Sequence, residues 1–447
     1  MYKSSYGLVL SGGGTKGAFE MGVWRALQEL NIQTPCVIGT SVGAINAAII
    51  AQNDFEKAYD FWYNLTINQV LNLSTSMADK YISRWEGGSF DLFRTSFLYD
   101  LFHGGLDIAP LRKSLAEVID EDAVRRSPIR LGLVTVELDT LSPKQLMIED
   151  IPEGMLFDYL LASAALPVFQ RQEINGKTYL DGGFYDNVPI NFMAEQGYQD
   201  ILSVEFPAPG LKQKLSHQHV DITVIKNSEY LGMLLEFDQK TIRNNMQMGY
   251  LDTLKTLDAV SGHHFFIDAS SGHHLYDRLN AFIHSPLPDA VARKRMACLL
   301  GLPEDASVDD LLAAARKTAT QCGYPDSEPL SLCMLEAAGR SAGITRLEKY
   351  TPDALLAAIL TRLSAMISDT QQLDFIRRPS TLKEAFQSFS ESTTKFLDFV
   401  TAYLLFTGAK RSIPRALLDN LIRKCSKETI LSIFILIYIH NMLDTEK

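Results

Sequence analysis

The sequence has few cysteines, and their arrangement excludes two classes of protein. Five occur among the 447 residues, with no C-x-x-C pair: Cys36, Cys298, Cys322, Cys333 and Cys425. An odd set without close pairs argues against both a disulfide framework and a zinc ribbon. A reducing compartment is therefore expected.

Positive charge is also scarce. Lys and Arg total 42 against 53 Asp and Glu, which gives a net charge of −11. Such a chain has no general basic field to hold nucleic-acid phosphates or anionic lipid head groups, so nucleic acid is not an expected partner. The hydrophobic fraction of 46% and charged fraction of 21% are those of a folded globular protein. The length predicts about two or three domains.

Long apolar runs are absent. The apolar segment Gly7–Leu10 ends just before three glycines and is too short for the core of a signal peptide. The most apolar run, Ile430–Ile439, would cover roughly 15 Å as a helix, against about 30 Å for the core of a bilayer. A buried helix is therefore predicted there. We expect a cytoplasmic protein without a signal peptide or transmembrane span.

Two kinds of secondary structure divide the chain. Residues 1–268 alternate apolar strand patterns with helical ones, which predicts an α/β fold with a mostly parallel sheet. The predicted strands are Gly7–Leu10, Cys36–Ile38, Ile129–Val136, Gln145–Ile148, Ile201–Glu205, Ile222–Ile225 and Phe265–Ile267. Helices are predicted over Ala18–Leu30 and Val42–Ala51, the second of them fully buried. Residues 269–447 repeat helix-entry signals, which predicts an all-helical second domain.

A glycine loop, Ser11-Gly12-Gly13-Gly14-Thr15-Lys16-Gly17, lies between the first predicted strand and the first predicted helix. Glycines there let backbone N–H groups at a helix N-terminus approach an anion. The loop also satisfies G-x-G-x-x-G, but the following segment lacks the acidic residue that a dinucleotide site requires. A Walker loop is excluded because Ala-Phe follows Gly17.

A second motif, Gly39-Thr40-Ser41-Val42-Gly43, stands at the next predicted strand-to-helix turn. The pattern G-x-S-x-G is typical of a nucleophile elbow, in which a strained turn exposes a serine hydroxyl. The alternative is a serine that only caps the following helix. Two consecutive strand–turn–helix units would set the glycine amides beside Ser41, where an oxyanion hole belongs.

A serine nucleophile needs a base, and Asp181 is the candidate. It ends a short apolar strand and is followed by Gly182 and Gly183. An Asp-Gly turn without catalytic function is the alternative for this motif alone.

Four segments in this order and spacing resemble the blocks of the patatin-like phospholipase family. They are Gly12–Gly17, Gly39–Gly43, Ala162–Phe169 and Asp181–Gly183. The resemblance covers about residues 6–268 and implies a three-layer α/β/α fold with a mostly parallel central sheet. Family members often carry Arg where this chain has Lys16, so the charge is retained but bidentate geometry is not.

The resemblance implies a serine lipid acyl hydrolase of the phospholipase A or lysophospholipase type. Ser41 would be the nucleophile, Asp181 the base of a Ser-Asp dyad, and the amides of Gly12, Gly13 and Gly14 the oxyanion hole. The motifs would be supported by Lys16, Gly17, Gly39, Gly43, Gly182 and Gly183. The third block would brace the dyad. No cofactor or metal is expected.

The histidines suggest two alternatives, a catalytic triad and a metal site. His217, His219, His263 and His264 follow Asp181, in the order that an α/β-hydrolase triad would use. None lies in a recognisable catalytic loop. The pairs His263-His264 and His273-His274 suggest a metal site, but adjacent histidines on a strand point to opposite faces.

The remaining segments suggest lipid contact and regulation. An aromatic-rich helical insertion is predicted at about residues 55–105, where side chains could line an acyl groove or form a lid. The expected partners are a phospholipid or other acyl-ester lipid and, transiently, a membrane surface, with a peripheral location there. The helical half could bind a regulatory protein or a second copy of the chain. An acyltransferase with the same dyad, and a non-catalytic lipid-binding or scaffolding module, remain alternatives.

Overall fold

The computed structural model describes residues 2–72, 105–268, 300–368 and 426–445, together with a few residues between 277 and 297. The chain divides into two compact units, Met1–Asp258 and Ala259–Lys447. The division of the chain into domains 1–268 and 269–447 remains a prediction. The part of the aromatic insertion from 73 to 104, and with it Trp85 and Phe90, lies outside the described residues.

The first unit is built on a mixed, mostly parallel sheet of eight strands. In chain order they are β1 Ser5–Leu10, β2 Gln33–Thr40, β3 Arg130–Glu137, β4 Ser142–Met147, β5 Gln172–Ile174, β6 Lys177–Asp181, β7 Asp200–Glu205 and β8 Asp221–Lys226. Strands β3, β2, β1, β7 and β8 are adjacent in that order and parallel. Their carboxyl ends therefore meet at one edge of the sheet.

Helices flank this sheet. They are α1 Ala18–Glu29, α2 Val42–Gln52, α3 Phe55–Tyr63, α4 Ala109–Val118, α5 Glu121–Arg126, α6 Leu156–Ser163, α7 Ile190–Glu195 and α8 Gln239–Thr256. Helix α2 is buried from Val42 to Ala51, as its Ala- and Ile-rich sequence predicts. On another part of the sheet, Phe192 and Met193 of α7 pack against Cys36, Ile38 and Ile201.

Strands β2 and β6 meet end to end along one edge of β3. Thr40, the last residue of β2, lies opposite Val134, and Asp181, the last residue of β6, lies opposite Thr135. Strand β4 pairs with the same stretch of β3, residues Gly132 to Glu137, and so occupies its other edge. Because β2 runs parallel and β6 antiparallel to β3, their two ends point at each other.

The described part of the second unit is helical apart from one pair of two-residue strands. Its described helices are α9 Val308–Gln321, α10 Leu330–Ser341, α11 Pro352–Ser368 and α12 Lys427–Thr445, and its strands are β9 Phe266–Ile267 and β10 Lys349–Tyr350. Helix α12 contains the apolar run, and its Leu431, Phe434 and Ile435 are buried in the core of the unit. The buried-helix prediction is thus confirmed. No helix in the described part of the chain is both long and apolar enough to cross a membrane.

Most predicted strands are confirmed. The predicted strand at Phe265–Ile267 is present as β9, but it pairs with β10 in the second unit. Strands β5 and β10 were not predicted. Both are so short that their apolar alternation cannot be distinguished from a loop.

Candidate active site

Ser41 occupies a strained turn between β2 and α2. Its φ of 58° and ψ of −127° lie outside the regions that L-residues normally adopt. The turn is tight enough that a Cβ at Gly39 would lie 2.0 Å from the Gly43 carbonyl oxygen. The Ser41 side chain makes no capping hydrogen bond to α2, although the residue stands at the N-cap position. The helix-cap alternative therefore does not account for the hydroxyl.

The third sequence block holds the backbone of both Ser41 and Asp181. The Ser41 N–H donates to Ser163 Oγ at 3.0 Å, and Ser163 Oγ donates to the Val134 carbonyl at 2.6 Å. The Asp181 N–H donates to the Ala165 carbonyl at 3.0 Å. One segment thus holds the ends of β2 and β6 where they meet beside β3. The role of the Ser163 hydroxyl was not predicted, because the block was recognised only as a whole.

Asp181 is buried beside Ser41. Burial raises the pKa of its carboxyl to about 6, while the nearby Ser41 hydroxyl and the Gly183 N–H lower the pKa in part. Its Oδ1 accepts the Gly183 N–H at 2.8 Å, so the Asp-Gly turn is also present. Its Oδ2 has no well-aligned hydrogen bond in the described structure. The Ser41 hydroxyl is close enough to lower the pKa of this carboxyl, although the two groups are not aligned for a hydrogen bond.

The glycine loop lies against Ser41. A Cβ placed at Gly12 would lie 3.0 Å from Ser41 Cβ. The Gly12 N–H already donates to the Asn187 carbonyl at 3.2 Å, and the Asn187 side chain donates back to the Gly12 carbonyl at 3.1 Å. Hydrogen bonds in the described structure occupy neither the Gly13 nor the Gly14 N–H. Gly12 is thus held in place by Asn187, which sequence analysis did not single out.

Gly14 and Lys16 fix the rest of the loop. Gly14 has a φ of +58°, and a Cβ there would lie 2.0 Å from the Leu234 carbonyl oxygen, so only glycine fits. The Thr15 N–H donates to the same carbonyl at 2.9 Å. Lys16 Nζ donates to the Pro207 carbonyl at 2.6 Å, and partial burial lowers the pKa of this ammonium. Lys16 thus ties the loop to the segment after β7.

A buried polar network connects three helices behind the loop. Asn46 of α2 donates to the Gly17 carbonyl at 3.0 Å and to Glu20 Oε2 of α1 at 2.7 Å. Its own carbonyl oxygen accepts the indole N–H of Trp62 in α3 at 2.9 Å. Burial raises the pKa of Glu20 well above its usual value, which favours the neutral acid. Nothing in the sequence pattern identifies this network, because its members are far apart in the chain.

An apolar pocket opens beside Ser41. Its cavity of about 70 Å³ is lined by Gly14, Thr15, Ser41, Val42, Ile45, Phe61, Trp62, Leu65, Val70, Leu111, Leu115, Ala164, Leu166, Phe169, Leu235 and Phe237. Only Thr15 and Ser41 bring polar side chains. Phe61 and Trp62, two aromatics of the predicted insertion, are among the lining residues. Such a lining suits a hydrocarbon chain attached to a group that reacts at Ser41.

The predicted histidine alternatives receive no support from contacts within the described residues. His263 and His264 belong to the second unit, where their backbone N–H groups each donate to Glu336 at 3.0 Å and their rings pack on Tyr324. His217 contacts the Ser216 hydroxyl. The described ranges contain no group of three or more His, Cys, Asp or Glu placed to hold a metal. His273 and His274 lie outside those ranges.

Comparison with known proteins finds a family model that matches part of the first unit. Residues 8–194 match the family model described as patatin-like phospholipase. Among curated relatives, the Caenorhabditis elegans patatin-like phospholipase domain-containing protein ZK370.4 is 25% identical over 208 residues. That match covers 45% of this chain and 14% of the relative.

A second relative carries a more specific activity in its name. Lysophospholipase nte1 of Neurospora crassa is 25% identical over 202 residues, which are 45% of this chain and 12% of the relative. This chain therefore matches only a small part of the curated relatives. Among solved structures, VipD from Legionella pneumophila overlaps 96% of this chain and 92% of its own, at 14% identity and a TM-score of 0.36.

Proposed function

We propose that this chain, in which residues 8–194 form a patatin-like phospholipase domain, is a serine hydrolase of acyl-ester lipids. The observation that carries the proposal is the meeting of Ser41 and Asp181 at the facing ends of β2 and β6. A strained serine, a buried carboxyl within its reach and an apolar pocket are the groups that acyl transfer to a serine requires.

In the proposed reaction, Ser41 Oγ attacks the carbonyl carbon of the ester while Asp181 Oδ2 accepts the hydroxyl proton. The oxyanion that forms is bound by the N–H groups of Gly13 and Gly14, since that of Gly12 has an acceptor already. The C–O bond then breaks, and the leaving alcohol takes the proton from Asp181. Water attacks the acyl-enzyme while Asp181 takes its proton. The bond from the acyl carbon to Ser41 Oγ then breaks, Asp181 returns the proton to Ser41 Oγ, and the fatty acid leaves.

Burial of Asp181 makes this dyad chemically reasonable. A carboxylate of ordinary pKa is a weak base toward serine, but the pKa of about 6 brings this one closer to the working pH. The Gly183 N–H restrains Oδ1 and leaves Oδ2 for the serine. Either water or an alcohol could accept the acyl group from the acyl-enzyme. Analysis of the products formed with added glycerol or lysophospholipid distinguishes hydrolysis from acyl transfer.

The test is hydrolysis of a soluble ester and of a phospholipid by the wild type and four variants. Ser41→Ala and Asp181→Asn should each lose about 10³-fold or more. Asp186→Asn is the matched control, because burial raises the pKa of this neighbouring carboxyl to about 6 as well, yet it accepts from Gln213 and Val188 rather than Ser41. The wild-type rate should rise with pH through about 6.

Three results would contradict the dyad. Equal losses in Asp181→Asn and Asp186→Asn would assign the effect to the local fold. Loss in a folded His263→Ala/His264→Ala variant would favour a histidine base. An inactive wild type on every ester would favour the non-catalytic lipid-binding alternative.

A further inference from the structure

Exposed apolar side chains concentrate at one edge of the first unit. Among the described residues, seven large hydrophobic side chains are exposed: Tyr2, Tyr63, Leu141, Phe184, Leu211, Leu215 and Tyr230. Five of them lie in segments that directly follow the carboxyl end of a strand, namely β3, β6, β7 and β8. The glycine loop and Ser41 follow the carboxyl ends of β1 and β2 at this edge. The antiparallel strand β6 brings Asp181 to the end of β2. Tyr2 precedes β1 and lies at the opposite edge.

Three of these residues lie in the two segments that follow β6 and β7, and we name them the docking patch: Phe184, Leu211 and Leu215. Their exposed fractions are 49%, 60% and 44%. The Leu211 N–H donates to the Gly183 carbonyl at 2.8 Å, so Leu211 and Phe184 are neighbours although they are far apart in sequence. Phe184 itself ends the short helical turn that begins directly after Asp181.

The loop that carries the patch is held firmly. Asn187 N–H donates to the Leu211 carbonyl at 2.6 Å, and the Gln213 side chain donates to the Tyr185 carbonyl at 2.7 Å. Asn191 Oδ1 accepts the Ser216 N–H at 2.9 Å. The backbone that carries the two leucines is therefore held by hydrogen bonds to the segment after β6 and to α7.

The charges around the patch favour an apolar binding partner over an anionic one. Lys212 and Lys214 alternate with the leucines, but Lys212 is paired with Glu205 at 2.8 Å and the whole chain carries −11. Attraction to anionic head groups is therefore weak, and transfer of apolar side chains out of water is the main favourable term. The stem of Lys214 can lie along the apolar surface while its ammonium group reaches a phosphate oxygen.

We infer that the docking patch inserts into the surface of a phospholipid bilayer and so presents the active-site edge to lipid esters. Docking would bring the proposed hydrolase to its substrate, so the inference rests on the proposed function. Binding to the bilayer can nevertheless be measured without hydrolysis. A bilayer of zwitterionic phospholipid is sufficient for this binding, and high salt does not weaken it.

The experiment measures co-sedimentation with phosphatidylcholine vesicles, using protein that carries Ser41→Ala so that products do not accumulate. Adding Leu211→Ser/Leu215→Ser should weaken vesicle binding by at least about tenfold. Adding Tyr2→Ser, a comparably apolar change at the opposite edge, should not. Binding by the Ser41→Ala protein should persist in 1 M salt. No vesicle binding by that protein, or equal losses in both variants, overturns the inference.

A second variant reports insertion directly. Leu211→Trp should show fluorescence quenched by phosphatidylcholine with brominated acyl chains, and Tyr2→Trp should add no quenching to the wild-type signal. An unquenched Trp at position 211 overturns the inference. With Ser41 intact, Leu211→Ser/Leu215→Ser should lose rate on vesicles but keep its rate on a soluble ester. An enzyme inactive on both substrates would contradict the proposed function, while the vesicle measurements would still decide the docking.

Discussion

At the scale of single residues, the site depends on two groups that the fold holds in unfavourable states. Ser41 keeps a positive φ, and Asp181 is buried as a carboxyl whose pKa is about 6 rather than the usual 3.8. Both states cost folding free energy and both suit a nucleophile and its base. Such residues are where stability and activity are expected to conflict.

Asp181→Asn should therefore stabilise the protein while it removes activity. The raised pKa means that the folded state disfavours the carboxylate, so stability falls as pH rises from about 4 to about 6 and the penalty is complete above that. The shift corresponds to about 3 kcal/mol. The variant should unfold less easily than the wild type at pH 8, measured by denaturant titration, and equally easily at pH 3.

The pH dependence is the critical part of this comparison. An Asn variant that is less stable than the wild type at pH 8 would show that the carboxylate is stabilised where it lies. That result would also contradict its proposed readiness to accept a proton.

At the scale of secondary-structure elements, helix contacts hold the glycine loop and the elbow together. Asn46 joins α1, α2 and α3 by three hydrogen bonds in a fully buried position. Helices α1 and α8 approach so closely that a Cβ at Gly249 would lie 1.9 Å from the Phe19 carbonyl oxygen. These contacts position the N-terminal ends of α1 and α2, from which the loop and Ser41 project.

Asn46→Ala should lower the free energy of unfolding by about 2–4 kcal/mol, because the Gly17 carbonyl, the Glu20 carboxyl and the Trp62 indole each lose a buried partner. Asn64→Ala is the control, since Asn64 is exposed and donates one hydrogen bond to the Asp60 carbonyl. It should cost less than about 1 kcal/mol. Equal effects of the two substitutions in chemical denaturation would mean that the buried hydrogen bonds of Asn46 stabilise the protein no more than the exposed hydrogen bond of Asn64.

At the scale of the whole molecule, the proposed catalytic groups all belong to the first unit, and the second unit has a core of its own. In that core, Glu336 accepts the N–H groups of His263, His264 and Phe265 at 2.7–3.0 Å. This buried carboxyl therefore fixes the segment that leads into β9.

Glu336→Ala should destabilise the second unit by roughly 3–5 kcal/mol, because three backbone N–H groups lose their acceptor. Glu348→Ala, at an exposed position of the same unit, should change little. Below the unfolding transition, followed by circular dichroism, both variants should hydrolyse a soluble ester at the wild-type rate. A folded Glu336→Ala protein without activity would show that the helical half contributes to catalysis.

Local sequence pattern predicts the α/β alternation, most strands, the buried helices α2 and α12, and the motifs that contain Ser41 and Asp181. These follow from local pattern: apolar period, glycines at turns and residue spacing. Four features could not be predicted in this way: the meeting of β2 with β6, the hydrogen bond from the Gly12 N–H to Asn187, the Asn46 network and the apolar edge. Each joins residues distant in the chain, and their contacts depend on strand order and register, which no local pattern encodes.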